Sequence, residues 1–344
     1  MRLSKSVIWH QCTPPNLLRQ TESLTSAPCH TLRQKHASSC PPSVKKRHQR
    51  LQVVAAAVLD KAASSTARVE TFAGLQGDDF RHPLDQQNTR LLRLLPGLEL
   101  VAKNMLGPVA EQVLLLENIG TSLLVGPTQL ASLHKLLVQA TTTLHMKNVP
   151  DLYVRQNPVP NAYTLAIAGR RPFVVVHTAL LELLEPAEVQ AVIAHELGHL
   201  KCSHGVWLTI ANLLASGALS LLPGLSDAVT EGLLRWLRAA ELTCDRAALL
   251  VAQDPRIVVS ALMKLAGGSP SLSKELNIDA FLEQARSYDE ASSTLLGWYL
   301  RNAQTRALSH PLPVMRAREI DLWSRSPEYL RLLSRNQRRP KLPR

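Results

Sequence analysis

The sequence is poor in aromatic side chains, which make up 4% of its 344 residues. Proteins that bind single-stranded nucleic acid stack its bases on aromatic rings, and such platforms are scarce here. The formal net charge of +12 would by itself favour an anionic partner. However, nine lysines and arginines lie in residues 1–55 beside a single acid, Glu22, so that segment holds +8 of the charge. We therefore expect no nucleic-acid partner for the rest of the chain.

Residues 1–55 also lack the uninterrupted apolar run of a secretory signal. They are basic, acid-poor and rich in Ser, Thr and Pro, which is typical of an organelle transit peptide. The segment ends near "RLQVVAAAV", and a Val-x-Ala step of this kind is more typical of chloroplast than of mitochondrial processing sites. We predict a chloroplast protein, with the mitochondrion as the alternative. The competing interpretation is a disordered basic tail that binds nucleic acid or anionic lipid.

Cysteines are few: three lie in that leader, and Cys202 and Cys244 are the others. Two thiols do not make a disulfide framework, which agrees with a reducing compartment. We expect both to be buried thiols without a chemical role.

Hydrophobic periodicity divides the remaining chain into segments. Residues 56–86 predict a linker, and 87–124 predict an N-terminal helical extension broken by prolines. A helix is predicted over 127–146, followed by two or three short strands in "DLYVRQ", "NAYTLAIAG" and "PFVVVHTAL". The remaining helices are predicted within 185–205 and over 229–251, 256–266, 276–288, 293–306 and 313–335, before a basic tail at 336–344.

Residues 205–226 form a run of 22 residues without a charge, long enough to cross a bilayer. The run contains Asn212, Pro223 and several Gly and Ser residues, so its apolar density is modest. We predict a buried or membrane-surface segment rather than a span.

The stretch "AVIAHELGHLKC" places His195 and His199 four residues apart in a strongly helical context. On a helix these two imidazoles lie one above the other and can reach a single zinc ion. Glu196 lies one step round the helix, close enough to touch water at such a metal without joining its ligands. The alternative is a core helix with two histidines that bind nothing.

A catalytic zinc site needs a third protein ligand. "RWLRAAELTCDRAALL", residues 235–250, offers Glu241 and, one turn later, Asp245 on the same apolar face. Zinc binding would offset the cost of burying Glu241, and Asp245 could then hold the free N–H of a ligand histidine. The alternative pairs these acids with Arg238 and Arg246 as surface ion pairs.

Four motifs in order resemble the HtpX-like and CaaX-prenyl-endopeptidase-like zinc metallopeptidases, which are gluzincins. They are "NAYTLAIAGRRPFVVVHTALLELL", "HELGHLKCSH", "ELTCD" and "SHPLPVMR", and the resemblance covers roughly residues 125–335. With its leader, the chain looks most like the plastid branch of the family, which is associated with plastoglobules; the thylakoid is the other expected location. The fold so implied is α+β, predominantly helical and zincin-like, with a small sheet beside the active-site helix in a domain at 125–335.

The resemblance implies that His195, His199 and Glu241 bind one zinc ion per chain and that Glu196 is the general base. Asp245 is expected to support a ligand histidine.

The resemblance also implies that His310 and Arg316 lie near the site, where they stabilise the oxyanion or control access to the metal. Arg316 as a salt-bridge partner is the alternative, and His204 is expected to be a structural cap at a helix end. The strand that contains Asn161, Ala162 and Tyr163, if it is a sheet edge, would hold substrate as an added strand.

The predicted function is therefore a zinc metalloendopeptidase that hydrolyses peptide bonds of organelle proteins through a zinc-activated water and Glu196. The alternatives are a catalytically silent zinc-binding scaffold and a quality-control partner at a membrane surface. The expected partners are protein or peptide substrates and, as a peripheral contact, a membrane or lipid-droplet surface.

Overall fold

The computed structural model describes residues 71–94, 108–165, 171–205, 207–208, 227–306 and 308–337. Helices predominate in these residues. They are α1 (Pro83–Arg93), α2 (Pro108–Thr121), α3 (Ala131–Thr143), α4 (Thr178–Leu183), α5 (Pro186–Lys201), α6 (Asp227–Ala252), α7 (Pro255–Gly267), α8 (Ile278–Ala291), α9 (Leu295–Thr305), α10 (Pro313–Ser324) and α11 (Pro327–Gln337).

A small mixed sheet lies beside these helices. Its strands are β1 (Ser122–Leu124), β2 (Asp151–Arg155), β3 (Ala162–Leu165) and β4 (Phe173–His177), in the spatial order β1-β2-β4-β3. The central pair β2 and β4 is parallel, and both outer strands pair antiparallel to it. The predicted fold class, mainly helical with a small sheet, is confirmed. β1 was missed because it is three residues long and continues the apolar pattern of α2.

Helix α5 is the centre of the domain. Pro186 occupies its first turn, and the side chains of Glu185 and Glu188 cap its free backbone N–H groups. Glu188 is itself buried and accepts from Lys264 Nζ on α7 at 2.7 Å. The helix ends at Lys201, and the positive φ of Ser203 then turns the chain back so that His204 N donates to His199 O. Every residue from Val189 to His199 except Gln190 is buried, which holds this helix in the core.

Gly198 allows α6 to pack closely against α5. A Cβ atom at this position would lie 3.0 Å from Ala247 Cβ and 3.1 Å from Cys244 Cα, closer than packed carbon atoms normally come. The absence of a side chain therefore brings the helix that carries Glu241 and Asp245 against the helix that carries both histidines.

The segment that precedes α1 differs from the sequence interpretation. Residues 56–86 were predicted to be a linker, but the described part, 71–86, includes a 3₁₀ turn (Gly77–Asp79) and the start of α1. Phe72, Leu75 and Phe80 are buried in the main hydrophobic core, and α1 packs against α6. The correction has a physical cause: three separated apolar residues among Gly and Asp show no periodicity, yet each fills a place in the core.

Some predictions concern residues outside this description. They are the leader at 1–55, residues 56–70 of the linker, nearly all of the uncharged run at 205–226, and residues 338–344 of the basic tail. Among the described residues, no helix has the length and apolar content needed to cross a bilayer.

Candidate metal centre

Two helices bring three buried side chains to one point. His195 and His199 lie on α5, and Glu241 lies on α6. His195 Nε2 is 3.3 Å from Glu241 Oε2, and His199 Nε2 is 3.3 Å from Glu241 Oε1. All three side chains are at most 1% exposed. The structure therefore brings together the three ligands that the resemblance implied.

Several polar atoms at this point have no hydrogen-bond partner among the described residues. They are His199 Nε2, both carboxylate oxygens of Glu241 and both of Glu196. An unsatisfied buried polar atom costs about 1–3 kcal/mol, and more when it is charged. Two imidazole nitrogens and a carboxylate are the donor set that catalytic zinc sites use. The residues present therefore fit a metal ion, which would satisfy these atoms together.

Cys244 offers a competing donor set. Donor atoms of His195, His199 and Cys244 also lie within 4.8 Å of one another. However, Cys244 Sγ contacts His204 Nδ1 at 3.9 Å, and that nitrogen lies 3.2 Å from His199 Nδ1. The thiol is thus on the Nδ1 side of His199, whereas Glu241 faces Nε2 of both histidines. Burial also raises the pKa of the Cys244 thiol well above its ordinary value, which disfavours the thiolate that a metal would bind. The positions of the donor atoms and the thiol pKa therefore both favour Glu241 as the third ligand.

Asp245 and Arg316 support His195 from behind. Asp245 Oδ1 lies 3.0 Å from His195 Nδ1. Arg316 donates to Asp245 from Nε at 2.8 Å and from Nη2 at 2.5 Å, and its Nη1 lies 3.6 Å from Glu241 Oε2. The two hydrogen bonds to Asp245 favour the salt-bridge alternative for Arg316. An arginine from α10 thus fixes the carboxylate that fixes a ligand histidine.

His310 lies beside Glu241, in the loop before α10. Its Nδ1 is 3.3 Å from Glu241 Oε2, and 16% of its side chain is exposed. It is more accessible than the three candidate ligands, which suits a group that meets a substrate. The resemblance implied a position near the site for His310, and the structure brings its Nδ1 close to Glu241.

Burial and charge shift the pKa values of the site in opposite directions. Burial lowers the pKa of His195, but the charge of Glu241 and the bond to Asp245 outweigh it and raise the pKa to about 9. Burial lowers the pKa of His199 to about 4, against the opposing effect of the nearby Glu241 carboxylate. Burial raises the pKa of Glu196 to about 8. Burial opposes ionisation of Glu241 too, yet His310 and His195 hold its pKa well below the usual value.

Sequence reasoning missed the part of the site behind His199. His204 was expected to be a helix cap, but it is buried, and its Nε2 lies 3.1 Å from Asp85 Oδ2 on α1. Arg81 and Thr243 also donate to that oxygen of Asp85, at 3.0 and 2.8 Å. The only sequence signal was a third histidine five residues after His199. Nothing in the sequence pointed to Asp85, because it lies in the predicted linker.

The predicted substrate strand is an outer strand of the sheet. β3 pairs with β4 alone among the described strands, and it packs against α5. Asn161, just before β3, and Ala162, its first residue, are buried, and Tyr163 is half-buried with its hydroxyl 3.3 Å from Arg155 Nη1.

Comparison with known proteins gives matches over this region. The model of peptidase family M48 matches residues 127–324. The chain is 66% identical over 272 residues to the plastoglobule-localized metallopeptidase 48, chloroplastic, of Arabidopsis thaliana, which covers 78% of each chain. It is 26% identical over 171 residues to protease HtpX homolog 2 of Methanosarcina mazei, covering 42% of this chain and 58% of that protein. The predicted resemblance to the HtpX-like family and its plastid branch is confirmed.

A further relative is protease HtpX homolog 1 of Streptomyces coelicolor, which is 32% identical over 149 residues. That match covers 34% of this chain and 48% of the relative, so the HtpX proteins share only part of their length with it. No solved structure matches the chain.

Proposed function

The chain belongs to peptidase family M48 and is a metallopeptidase, and from this premise we propose that it is a zinc-dependent endopeptidase of plastid proteins. The observation that carries the proposal is the set of buried, unsatisfied atoms on His199, Glu241 and Glu196. A silent core would not leave two carboxylates and an imidazole without hydrogen-bond partners, since each such group costs folding free energy. Their convergence supports a metal site with a free carboxylate beside it.

His195, His199 and Glu241 would hold the zinc ion, one per chain. The ion would supply Lewis-acid polarisation of the scissile carbonyl and would make a water molecule easier to deprotonate. Two imidazoles and one carboxylate leave a coordination position open, as a catalytic site requires.

Glu196 is the general base in this proposal. It follows His195 on α5, and both its oxygens are buried without a hydrogen-bond partner in the described residues. It can therefore accept the proton of the attacking water and pass it to the leaving amine. Desolvation raises the pKa of Glu196 to about 8, which makes it a stronger base than an exposed glutamate.

His310 is the residue that we assign to the developing oxyanion. It is partly exposed and lies 3.3 Å from a ligand carboxylate, so it faces the site from the accessible side. A donor at this position would stabilise negative charge that appears only in the transition state.

The substrate is proposed to be an extended peptide that pairs with β3. The support is that β3 is an outer strand of the described sheet and packs against the helix that carries Glu196. Backbone pairing gives affinity with little sequence preference, so we expect broad endopeptidase specificity.

We place the protein in the chloroplast, at plastoglobules, on the similarity to a relative whose printed name gives that location. Helix α9 supports attachment to a lipid surface, because none of its residues is buried and Leu295, Trp298 and Tyr299 are 87%, 59% and 63% exposed. Aromatic and aliphatic side chains on one surface helix are typical of helices that lie in a membrane interface.

Flotation with galactolipid vesicles tests the role of α9: the protein should float, and a variant with Leu295, Trp298 and Tyr299 changed to Gln should not. A change of the exposed Leu330 to Gln on α11 is the control, and equal flotation of all three proteins would contradict the role of α9.

The activity is tested by the full-length protein beside its Glu196→Gln variant. Both are loaded with zinc, checked for equal zinc content and incubated with casein. The proposal expects cleavage by the wild type and a rate at least about a hundredfold lower for the variant, in the range that general-base catalysis contributes. Equal zinc content with no cleavage by either protein would favour the silent scaffold, and equal cleavage by both would remove Glu196 from the mechanism.

A further inference from the structure

The histidine behind His199 occupies a closed environment. His204 Nδ1 lies 3.2 Å from His199 Nδ1, and His204 Nε2 lies 3.1 Å from Asp85 Oδ2. The ring packs edge-on against His199 and Trp236, with centroids 5.3 and 5.6 Å apart. His204 is 1% exposed, so both its nitrogens depend on these neighbours.

The side chains of His199, His204 and Asp85 form a row of contacts. Only one arrangement of protons along this row leaves His199 able to bind a metal through Nε2. That nitrogen must carry a lone pair, so the proton of neutral His199 lies on Nδ1. His204 Nδ1 must then accept it, which places the proton of His204 on Nε2. The acceptor for that proton is Asp85, whose pKa is held below its usual value by His204 and Arg81 against the effect of burial.

We propose that Asp85 and His204 form a positioning relay that fixes the ring orientation and the tautomer of His199. The proposal rests on the proposed function in one respect, namely that His199 is a metal ligand. His204 and Asp85 touch neither the metal position nor the substrate in this account, and they act through His199.

The surroundings of Asp85 show that the relay is built into the fold. Its carboxylate accepts from Arg81 Nη1, Thr243 Oγ1 and Thr89 Oγ1 at 3.0, 2.8 and 2.9 Å, in addition to its contact with His204. Thr89 in turn accepts from the indole N–H of Trp236, the ring that packs against His204. Arg81 Nη1 also lies 3.2 Å from His204 Nε2. However, Arg81 donates to Asp85 and to Cys202 O, so its donors have acceptors without a lone pair on that nitrogen.

Asp85 and Arg81 lie upstream of the segment that matches the family model, which begins at residue 127. The relay therefore makes α1 a working part of the metal site and not an appendage of the domain. Displacement of α1 would leave His199 without the acceptor chain that fixes its tautomer.

The test is zinc affinity, measured on the full-length protein by competition with a chromophoric chelator. His204→Leu removes both nitrogens, and we expect about a 10–100-fold weaker affinity, the usual loss for a residue that orients a ligand. His204→Asn places an amide oxygen near the position of Nδ1, so it should recover part of that loss. Glu188→Gln is the matched control. Glu188 lies on α5, as His199 does, and the change removes the charge from its buried contact to Lys264 on α7 without touching either histidine.

A second readout is the tautomer itself, from long-range ¹H–¹⁵N spectra of the zinc-loaded wild type. The relay requires the Nδ1–H form of His199 and the Nε2–H form of His204. The opposite tautomer of His204 would overturn the proposal, even if no variant folds. Equal zinc affinity of wild type and a folded His204→Leu would overturn it as well, as would an equal loss in Glu188→Gln. A wild type that binds no zinc would instead contradict the proposed function.

Discussion

His195 and His199 lie one turn apart on α5, yet the groups behind them differ. Behind His195 there is a carboxylate in direct contact, Asp245, which is held by Arg316. Behind His199 there is a second histidine, and the carboxylate of Asp85 comes only after it. The row behind His195 is thus Asp245 and Arg316, and the row behind His199 is His204, Asp85 and Arg81. The first row lies within the segment that matches the family model, and the second extends outside it.

The two histidines also have opposite pKa shifts, although burial acts against the charged form of both. For His195 the charge of Glu241 and the direct contact to Asp245 outweigh burial and raise the pKa to about 9, whereas for His199, which has no second carboxylate in contact, burial prevails over Glu241 and the pKa is about 4. In the metal-free protein at neutral pH, therefore, His195 carries the extra proton and His199 is neutral.

The largest expected effect is on stability, from removal of the arginine behind His195. Arg316→Met leaves the buried Asp245 with His195 but without its arginine, and breaking a buried ion pair by removing one partner costs about 3–5 kcal/mol. Arg81→Met should cost less, about 1–3 kcal/mol, because Asp85 keeps two threonine donors and the Arg81 side chain is 12% exposed, against 3% for Arg316. Urea unfolding of the two variants measures both losses. Equal losses would mean that the two rows do not differ in this way.

The next effect is on the pH dependence of metal binding. A proton on His195 competes with the metal, so the affinity should rise as pH rises and level off near the pKa of about 9. His199 and Glu241 are already unprotonated in this window, because their pKa values are lowered. At least the proton of His195 should leave on binding between pH 6 and pH 8, which is about a tenfold change in affinity per pH unit, and loss of the proton of Glu196, whose pKa is about 8, would add to the count. Calorimetry in buffers of different ionisation enthalpy counts that proton. A count near zero would contradict the contrast between the two histidines.

A smaller effect on stability is expected from a change that separates α5 from α6, because this separation would shift the residues behind both histidines. Gly198→Ala inserts a methyl group 3.0 Å from Ala247 Cβ and should destabilise the protein by about 1–3 kcal/mol, since α5 and α6 must separate. Gly232→Ala on α6 is the matched control, because a Cβ there meets nothing within 4 Å, and it should be neutral or slightly stabilising. Thermal unfolding compares the two. A stable Gly198→Ala would show that the close approach of the helices is not required.

The row behind His195 could be predicted from the sequence, and the row behind His199 could not. Periodicity placed Glu241 and Asp245 on one helix face and His195 and His199 on another, and the resemblance implied that the two faces meet at one metal site. His310 and Arg316 followed from the resemblance and not from spacing. Asp85 lies 119 positions before His204, in a segment whose Gly and Asp residues predict a turn or a linker. Only the packing of Phe72, Leu75 and Phe80 into the core brings it to the site, and no local pattern encodes that long-range contact.

The most direct test of the central claim is X-ray absorption at the zinc edge of the full-length, zinc-loaded protein. A site made by His195, His199 and Glu241 predicts a first shell of nitrogen and oxygen atoms at about 2.0–2.2 Å, and the same spectrum for Cys244→Ser. A sulfur neighbour at about 2.3 Å that disappears in Cys244→Ser would contradict the account, because the third ligand would then be the thiol and not Glu241.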